Sequence, residues 1–289
     1  MYKRQVWEEI LIHLPESVQV VSLSATVSNA EEFGEWLQTV RGDTEIIVSE
    51  IRPVPLYQHV LFGNRLIDLF NDEMKLNPEL TKLERDTYRQ VRANWRDKPK
   101  GPKTLSRPDV IEKLDREGLL PAITFIFSRK ACDAAVKQCL QSGIKLTNEN
   151  DRSRIRTIVS KNIGNLAQED LVVLGYYEWL EGLEKGIAAH HAGLLPAFKT
   201  TVEELFQEGL VKAIFATETL ALGINMPART VVLEKLSKWN GEGHVAISAG
   251  EYTQLTGRAG RRGIDIEGNA VILWNNDCLL YTSPSPRDA

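Results

Sequence analysis

The chain has 289 residues, 43% of them hydrophobic and 26% charged, proportions that suit one large or two smaller globular domains and exclude wholesale disorder. A formal charge of −4 at pH 7 excludes a protein that coats nucleic acid by bulk electrostatics, so any such contact has to be local. No apolar run is long enough to span a bilayer, and Cys132, Cys139 and Cys278 are too scattered for a zinc site or a disulfide framework, which leads us to expect no metal, no membrane and a reducing, cytoplasmic setting.

In chain order, residues 18–23 are a β-branched run that predicts a buried strand, followed by Ser24-Ala25-Thr26. Ser28 and Asn29 offer caps, with acids in the first turn, for a helix through Leu37. Residues 46–48, Ile-Ile-Val, predict another strand. Arg52-Pro53-Val54-Pro55-Leu56 has to be extended, because each proline disfavours helix at the residue before it, and it reads as an interdomain connector. Residues 71–109 turn charged and interrupted and read as an insertion; its basic stretch, residues 98–103, reads as a solvated loop.

Order returns with a strand over residues 121–127 and a helix from Ser128-Arg129 through Leu140. Residues 151–183 carry helical spacing of Ile155, Ile158, Val159 and Ile163. Strands follow at 186–191, 210–216, 230–233 and 270–274, and Pro196 suits the first turn of a helix between the first two. This alternation predicts an α/β fold, an open parallel sheet with helices on both faces. Ligands, and every motif named below, are then expected at the C-terminal ends of the strands. The ending, residues 276–289, has no periodicity and, like the first residues, reads as vector- or adapter-derived.

Function is concentrated in Gln254-Leu255-Thr256-Gly257-Arg258-Ala259-Gly260-Arg261-Arg262-Gly263. Helical geometry would stack Gln254, Arg258 and Arg261 on one face, an amide and two guanidiniums able to grip a phosphate. Taken alone, such a cluster also suits a solvated helix face. Upstream, residues 216–228 read Ala-Thr-Glu-Thr-Leu-Ala-Leu-Gly-Ile-Asn-Met-Pro-Ala.

With Ser24-Ala25-Thr26, Arg52-Pro53-Val54-Pro55, Phe125-Ile126-Phe127-Ser128-Arg129, His190-His191-Ala192-Gly193-Leu194 and these two C-terminal motifs in order, the chain resembles the superkiller-type branch of the superfamily II DExH-box RNA helicases, most of all its bacterial, actinobacterial-type members. The resemblance covers nearly all of residues 6–274. It implies a RecA-like fold of the P-loop NTPase type: residues 1–51 would end a first RecA-like domain, and residues 52–275 would form the second, the helicase C-terminal domain.

The resemblance further implies that Gln254, Arg258 and Arg261 face ATP, the arginines as fingers for its γ-phosphate, and that Gly223 and Asn225 join them in sensing nucleotide. Ser24 and Thr26 would couple hydrolysis to strand movement, although both also suit simple N-capping. Ser128, Arg129, His191, Gly193 and Thr217 would line a groove for nucleic acid. His190 and His191 should point to opposite faces of their strand and so make no metal site.

Such an ATPase needs Gly-x-x-x-x-Gly-Lys-Ser/Thr for the phosphates and Asp-Glu-x-His for Mg²⁺. Gly101-Pro102-Lys103-Thr104 and Asp72-Glu73-Met74-Lys75 match neither. The expectation is a catalytically silent piece of an ATP-dependent RNA helicase, with ATP and Mg²⁺ held mainly by protein outside this sequence. RNA, single-stranded or as a 3′-tailed duplex, is the expected partner, with DNA an alternative substrate, and the parent chain is expected to act as a monomer. The alternative is a non-enzymatic half-domain that binds single strands.

Overall fold

The computed structural model describes residues 2–23, 30–49, 51–93, 104–164, 168–222 and 226–275. It opens with two helices, α1 (Tyr2–His13) and α2 (Ala30–Arg41). Arg41 holds them together by donating to the carbonyls of Leu14, Pro15 and Val18. Neither strand predicted in this part forms: residues 18–23 and 46–48 pair with no strand, and Val21, Leu23, Ile47 and Val48 are exposed. A β-branched run becomes a strand only beside a neighbouring strand that takes up its backbone donors and acceptors, and no described strand pairs with either run.

The rest of the chain contributes β1 (Leu56–Phe62), β2 (Arg65–Asp68), α3 (Pro78–Ala93), α4 (Arg107–Arg116), β3 (Ala122–Phe125), α5 (Arg129–Ser142), α6 (Glu149–Ile163), α7 (Gln168–Val173) and α8 (Tyr176–Glu184). There follow β4 (Ile187–His190), α9 (Pro196–Gln207), β5 (Ala213–Ala216), β6 (Thr230–Leu233), a hairpin of β7 (Ser237–Trp239) and β8 (His244–Ala246), α10 (Ala249–Thr256) and β9 (Gly268–Leu273). The main sheet has the order β2-β1-β9-β6-β3-β5-β4. Only β2 runs antiparallel, to β1.

This is the expected RecA-like α/β sheet, and the strands show why it is covered on both sides. Every residue of β3, β4, β5, β6 and β9 is buried, the pattern of parallel strands with helices on each face. Side chains alternate accordingly. Ile187, Ala189, Ala213 and Phe215 pack with Ile111 of α4 and Cys132, Ala135 and Cys139 of α5. Ala188 and Ile214 turn the other way, towards Ile155 and Val159 of α6 and Phe198, Val202 and Leu205 of α9. The region predicted as one long helix is divided into α6, α7 and α8, with a left-handed Gly175 (φ 68°) opening α8, a backbone state that glycine enters without steric penalty.

β1 was not foreseen. The connector ends at Pro55, and the chain at once joins the sheet, with Leu56 level with Gly268 of β9. Residues 71–109 hold α3 and the start of α4, while residues 94–103, including the basic stretch, lie outside the described residues. Among the described residues no helix is long and apolar enough to cross a membrane.

Candidate nucleotide and nucleic-acid sites

The site residues fall at two opposite ends of the strands. At the C-terminal ends of β3, β5 and β4, which are neighbours in the sheet, lie Ser128 and Arg129, Thr217, and His191 with Gly193. Ser128 caps α5 through its hydroxyl, which accepts from the Ala131 N–H at 3.4 Å. Ser128, Arg129 and Gly193 are exposed. A Cβ on Gly193 would sit 3.6 Å from Cδ of Arg129 and 3.1 Å from Nδ1 of His191, so the three residues form one patch.

His191 supports this patch rather than lining it. The ring is buried; its Nδ1 accepts from the Gly193 N–H at 3.1 Å, which places the proton on Nε2, 2.9 Å from Asp133 Oδ1. Both nitrogens are therefore occupied, and neither is presented to a ligand. Thr217 is likewise buried, its hydroxyl 3.0 Å from that of Thr219 and its N–H donating to the His190 carbonyl. His190 turns to the opposite face, as the strand period requires, and meets Glu203 of α9 at 2.8 Å. Burial pushes the His190 pKa below its ordinary value, outweighing the pull of Glu203. The ring is then neutral at pH 7, with Nε2–H donating to Glu203 and a bare Nδ1 that has no hydrogen-bond partner.

The arginine motif lies elsewhere than expected. α10 crosses back from β6 to β9 and runs against the strands. Its first turn is capped by a Ser248–Glu251 capping box. Near this end Lys238 of β7 bridges Glu251 at 2.6 Å and Glu218, which follows β5, at 2.7 Å. Burial of Lys238 disfavours its charge, but the two carboxylates more than compensate and raise its pKa.

The other end of α10 delivers Arg258 and Arg261 to the N-terminal ends of β6 and β9. There Ala228, two residues before β6, donates to the Arg258 carbonyl at 2.9 Å and accepts from the Gly260 N–H at 2.7 Å. The prediction that every motif sits at strand C-terminal ends is thus corrected for this one. So is the stack on one helical face: α10 stops at Thr256 with Gly257 as its cap, so Gln254 is helical while Arg258 and Arg261 stand on the loop beyond.

That loop is built by close approach. Gly260 has φ 84°, and a Cβ there would lie 2.7 Å from Cγ1 of Val54 and 3.2 Å from Cα of Gly268. Arg52 ties the connector to it by donating to the carbonyls of Val54 (2.8 Å), Ala259 (2.5 Å) and Thr256 (3.5 Å), a cation set on the free carbonyls of a helix end. Arg258 is half-buried, which works against its charge and lowers its pKa. Arg261 is gripped by Asp265, which accepts from its Nε, its Nη2 and its backbone N–H, each at 2.8 Å.

Ser24, Thr26, Gly223 and Asn225, expected to couple hydrolysis and to sense nucleotide, lie outside the described residues. Sequence reasoning missed Asp133, Lys238 and Asp265, which act as partners of motif residues or their neighbours, and named Arg52 only as part of the connector motif. Asp265, four residues past Arg261, was the most accessible of them from spacing.

A pattern for the helicase conserved C-terminal domain matches residues 127–263, a span that holds both groups of residues. The chain is 60% identical over 284 residues to the probable helicase HelY of Mycobacterium tuberculosis, covering 93% of this chain and 31% of that protein. It is 36% identical over 283 residues to the exosome RNA helicase MTR4 of Homo sapiens (93% and 26%). It is 37% identical over 304 residues to the DExH-box ATP-dependent RNA helicase DExH15, chloroplastic, of Arabidopsis thaliana (93% and 25%). The chain thus spans less than a third of the length of these relatives. It carries a helicase conserved C-terminal domain on a RecA-like sheet, and over 93% of its length it is similar to DExH-type helicases.

Proposed function

We propose that this chain is the arginine-bearing and strand-gripping half of an ATP-dependent RNA helicase. The observation that carries the proposal is the separation of the two sites: an exposed Ser128, Arg129 and Gly193 patch at one end of the strands and the Arg258 and Arg261 loop at the other, joined by α10. Nucleic acid and nucleotide would then occupy different ends of one rigid sheet, and movement at one would be felt at the other through α10 and the Lys238 bridge. The human and Arabidopsis relatives are named as RNA helicases, which favours RNA over DNA.

ATP fits the loop as phosphate fits guanidinium, with Gln254, Arg258 and Arg261 as the residues that would touch it. Among the described residues no three His, Cys, Asp or Glu side chains gather, and Asp265 is taken by Arg261. Mg²⁺ and most of the nucleotide would be held by a phosphate loop and an Asp-Glu-x-His motif outside this sequence, with the whole acting as a monomer. Closure of the two halves would carry Arg261 to the γ-phosphate. A cytoplasmic setting belongs to the same proposal; Cys132 and Cys139 are free thiols whose pKa burial pushes up to about 12 and so away from redox chemistry.

The test is Arg261→Ala in the full-length helicase. RNA-stimulated ATP hydrolysis should fall by about 10³-fold, as loss of an arginine finger does. Full retention would defeat the assignment. Competition between RNA and DNA oligonucleotides in the same assay decides the substrate. The exposed patch also supports a second reading, weak binding of single strands by this chain alone, which a titration of labelled oligonucleotide at low and high salt would reveal or exclude.

A further inference from the structure

We propose that Asp265 is the positioning residue of the arginine loop, holding Arg261 by one edge of its guanidinium so that the opposite edge is presented to a nucleotide phosphate. The proposal rests on the reading of Arg261 as nucleotide-facing and adds the group that aims it.

The geometry is specific. Asp265 takes the Nε and Nη2 edge of the fork, one carboxylate oxygen to each nitrogen at 2.8 Å, and the Oδ2 on Nε also accepts the backbone N–H of the same arginine. One carboxylate thus fixes both the root and the tip of the side chain. The Nη1 N–H groups and the remaining Nη2 N–H form a second planar edge, and no other hydrogen bond of this side chain occurs among the described residues. Burial follows the same sense: the Asp265 side chain is 4% exposed and that of Arg261 23%, so the acid is sealed while the guanidinium reaches the surface.

Around Asp265 the loop inverts the usual preference for apolar residues inside. Ile264 and Ile266 are 70% and 92% exposed, and the inward position between them is given to a carboxylate. A second guanidinium attends it. Arg229, on the segment entering β6, acts electrostatically on Asp265, and its Nε is buried with no hydrogen-bond partner. Two arginines against one acid leave the locale net positive, so Asp265 organises the site without cancelling its attraction for phosphate. Burial alone would raise the Asp265 pKa, but the Arg261 hydrogen bonds and the charges of Arg261 and Arg229 hold it below its ordinary value. The acid stays ionised at neutral pH.

The experiment compares Asp265→Asn, Arg261→Ala and the double variant in the full-length helicase. It measures kcat and KM for nucleic-acid-stimulated ATP hydrolysis and nucleic-acid affinity without nucleotide. Asn keeps the shape of Asp but sets an amide N–H against a donor. Asp265→Asn should lower kcat about 10- to 100-fold, the scale of a misplaced catalytic group, with nucleic-acid affinity unchanged and Asp265→Glu restoring part of the loss. Because the effect runs through Arg261, adding Asp265→Asn to Arg261→Ala should lower kcat no further. An equal loss in both backgrounds, or none in the wild-type background, would overturn the proposal. Full activity of Arg261→Ala would instead overturn the nucleotide-facing reading beneath it.

Discussion

Replacing Gly260 with Ala tests whether the arginine loop owes its position to close packing against the connector. Gly260 sits at φ 84°, and the added Cβ would fall 2.7 Å from Cγ1 of Val54, 3.1 Å from its Cβ and 3.2 Å from Cα of Gly268. The left-handed backbone costs an L-residue about 1–2 kcal/mol, and forcing a methyl group into a filled site adds about 1–3 kcal/mol. Val54 is buried and Gly268 is fixed in β9 by its N–H to the Pro55 carbonyl at 2.8 Å, so neither yields easily. The expected destabilisation is about 2–5 kcal/mol, a fall in melting temperature of roughly 4–20 °C for a domain of this size.

Gly263 is the matched control. Its φ is 77° but nothing lies within 4 Å of its would-be Cβ, so Gly263→Ala should carry only the backbone part, about 1–2 kcal/mol. Urea unfolding followed by tryptophan fluorescence measures both. Equal effects of the two substitutions would refute the argument from close approach, whatever their size.

Arg129→Ala should weaken single-strand binding and reduce the slope of log affinity against log salt by about 1, the loss of one phosphate contact; an unchanged slope would remove Arg129 from the patch. Stability should fall as pH drops through 6.5, the ordinary value for His190. The folded state holds that ring neutral while the unfolded chain takes up a proton, so the loss continues down to the depressed folded pKa and then stops. Urea midpoints between pH 8 and pH 5 would show it, and His190→Gln should flatten that part of the profile. Lys238→Met removes both carboxylate pairs of a side chain only 20% exposed. Since Glu218 and Glu251 are half in solvent, the expected loss is about 1 kcal/mol, read as a lower melting temperature that Lys238→Arg partly restores and that shrinks with added salt; an unaltered melting temperature would show that the bridge does not hold α10.

Much of the second half was legible because parallel strands buried on both faces are short apolar runs whatever surrounds them. Residues 230–233 coincide with β6, and those expected at 186–191 and 210–216 contain β4 and β5. β1 was obscured by Pro53 and Pro55, which mark an extended connector but say nothing of what it joins, and by Gln58 and His59, whose side chains are partly buried because Tyr252 and Asn269 bond to them. The run at 18–23 misled for the opposite reason: β-branched composition records a preference for extended backbone, whereas a strand needs a partner. The arginine stack failed at Gly257 and Gly260, where helical spacing was carried past the residues that end the helix.

By itself the amino-acid order determined the sheet-and-helix alternation and the likeness to DExH-type helicases, since residue type and short spacing are local properties. Which end of the sheet each group occupies was settled only in three dimensions. α10 runs against the strands, so the Ser128, Arg129 and Gly193 patch and the Arg258 and Arg261 loop part company by the full length of a strand, and Asp133 reaches His191 from 58 residues away by packing, which short-range pattern does not encode.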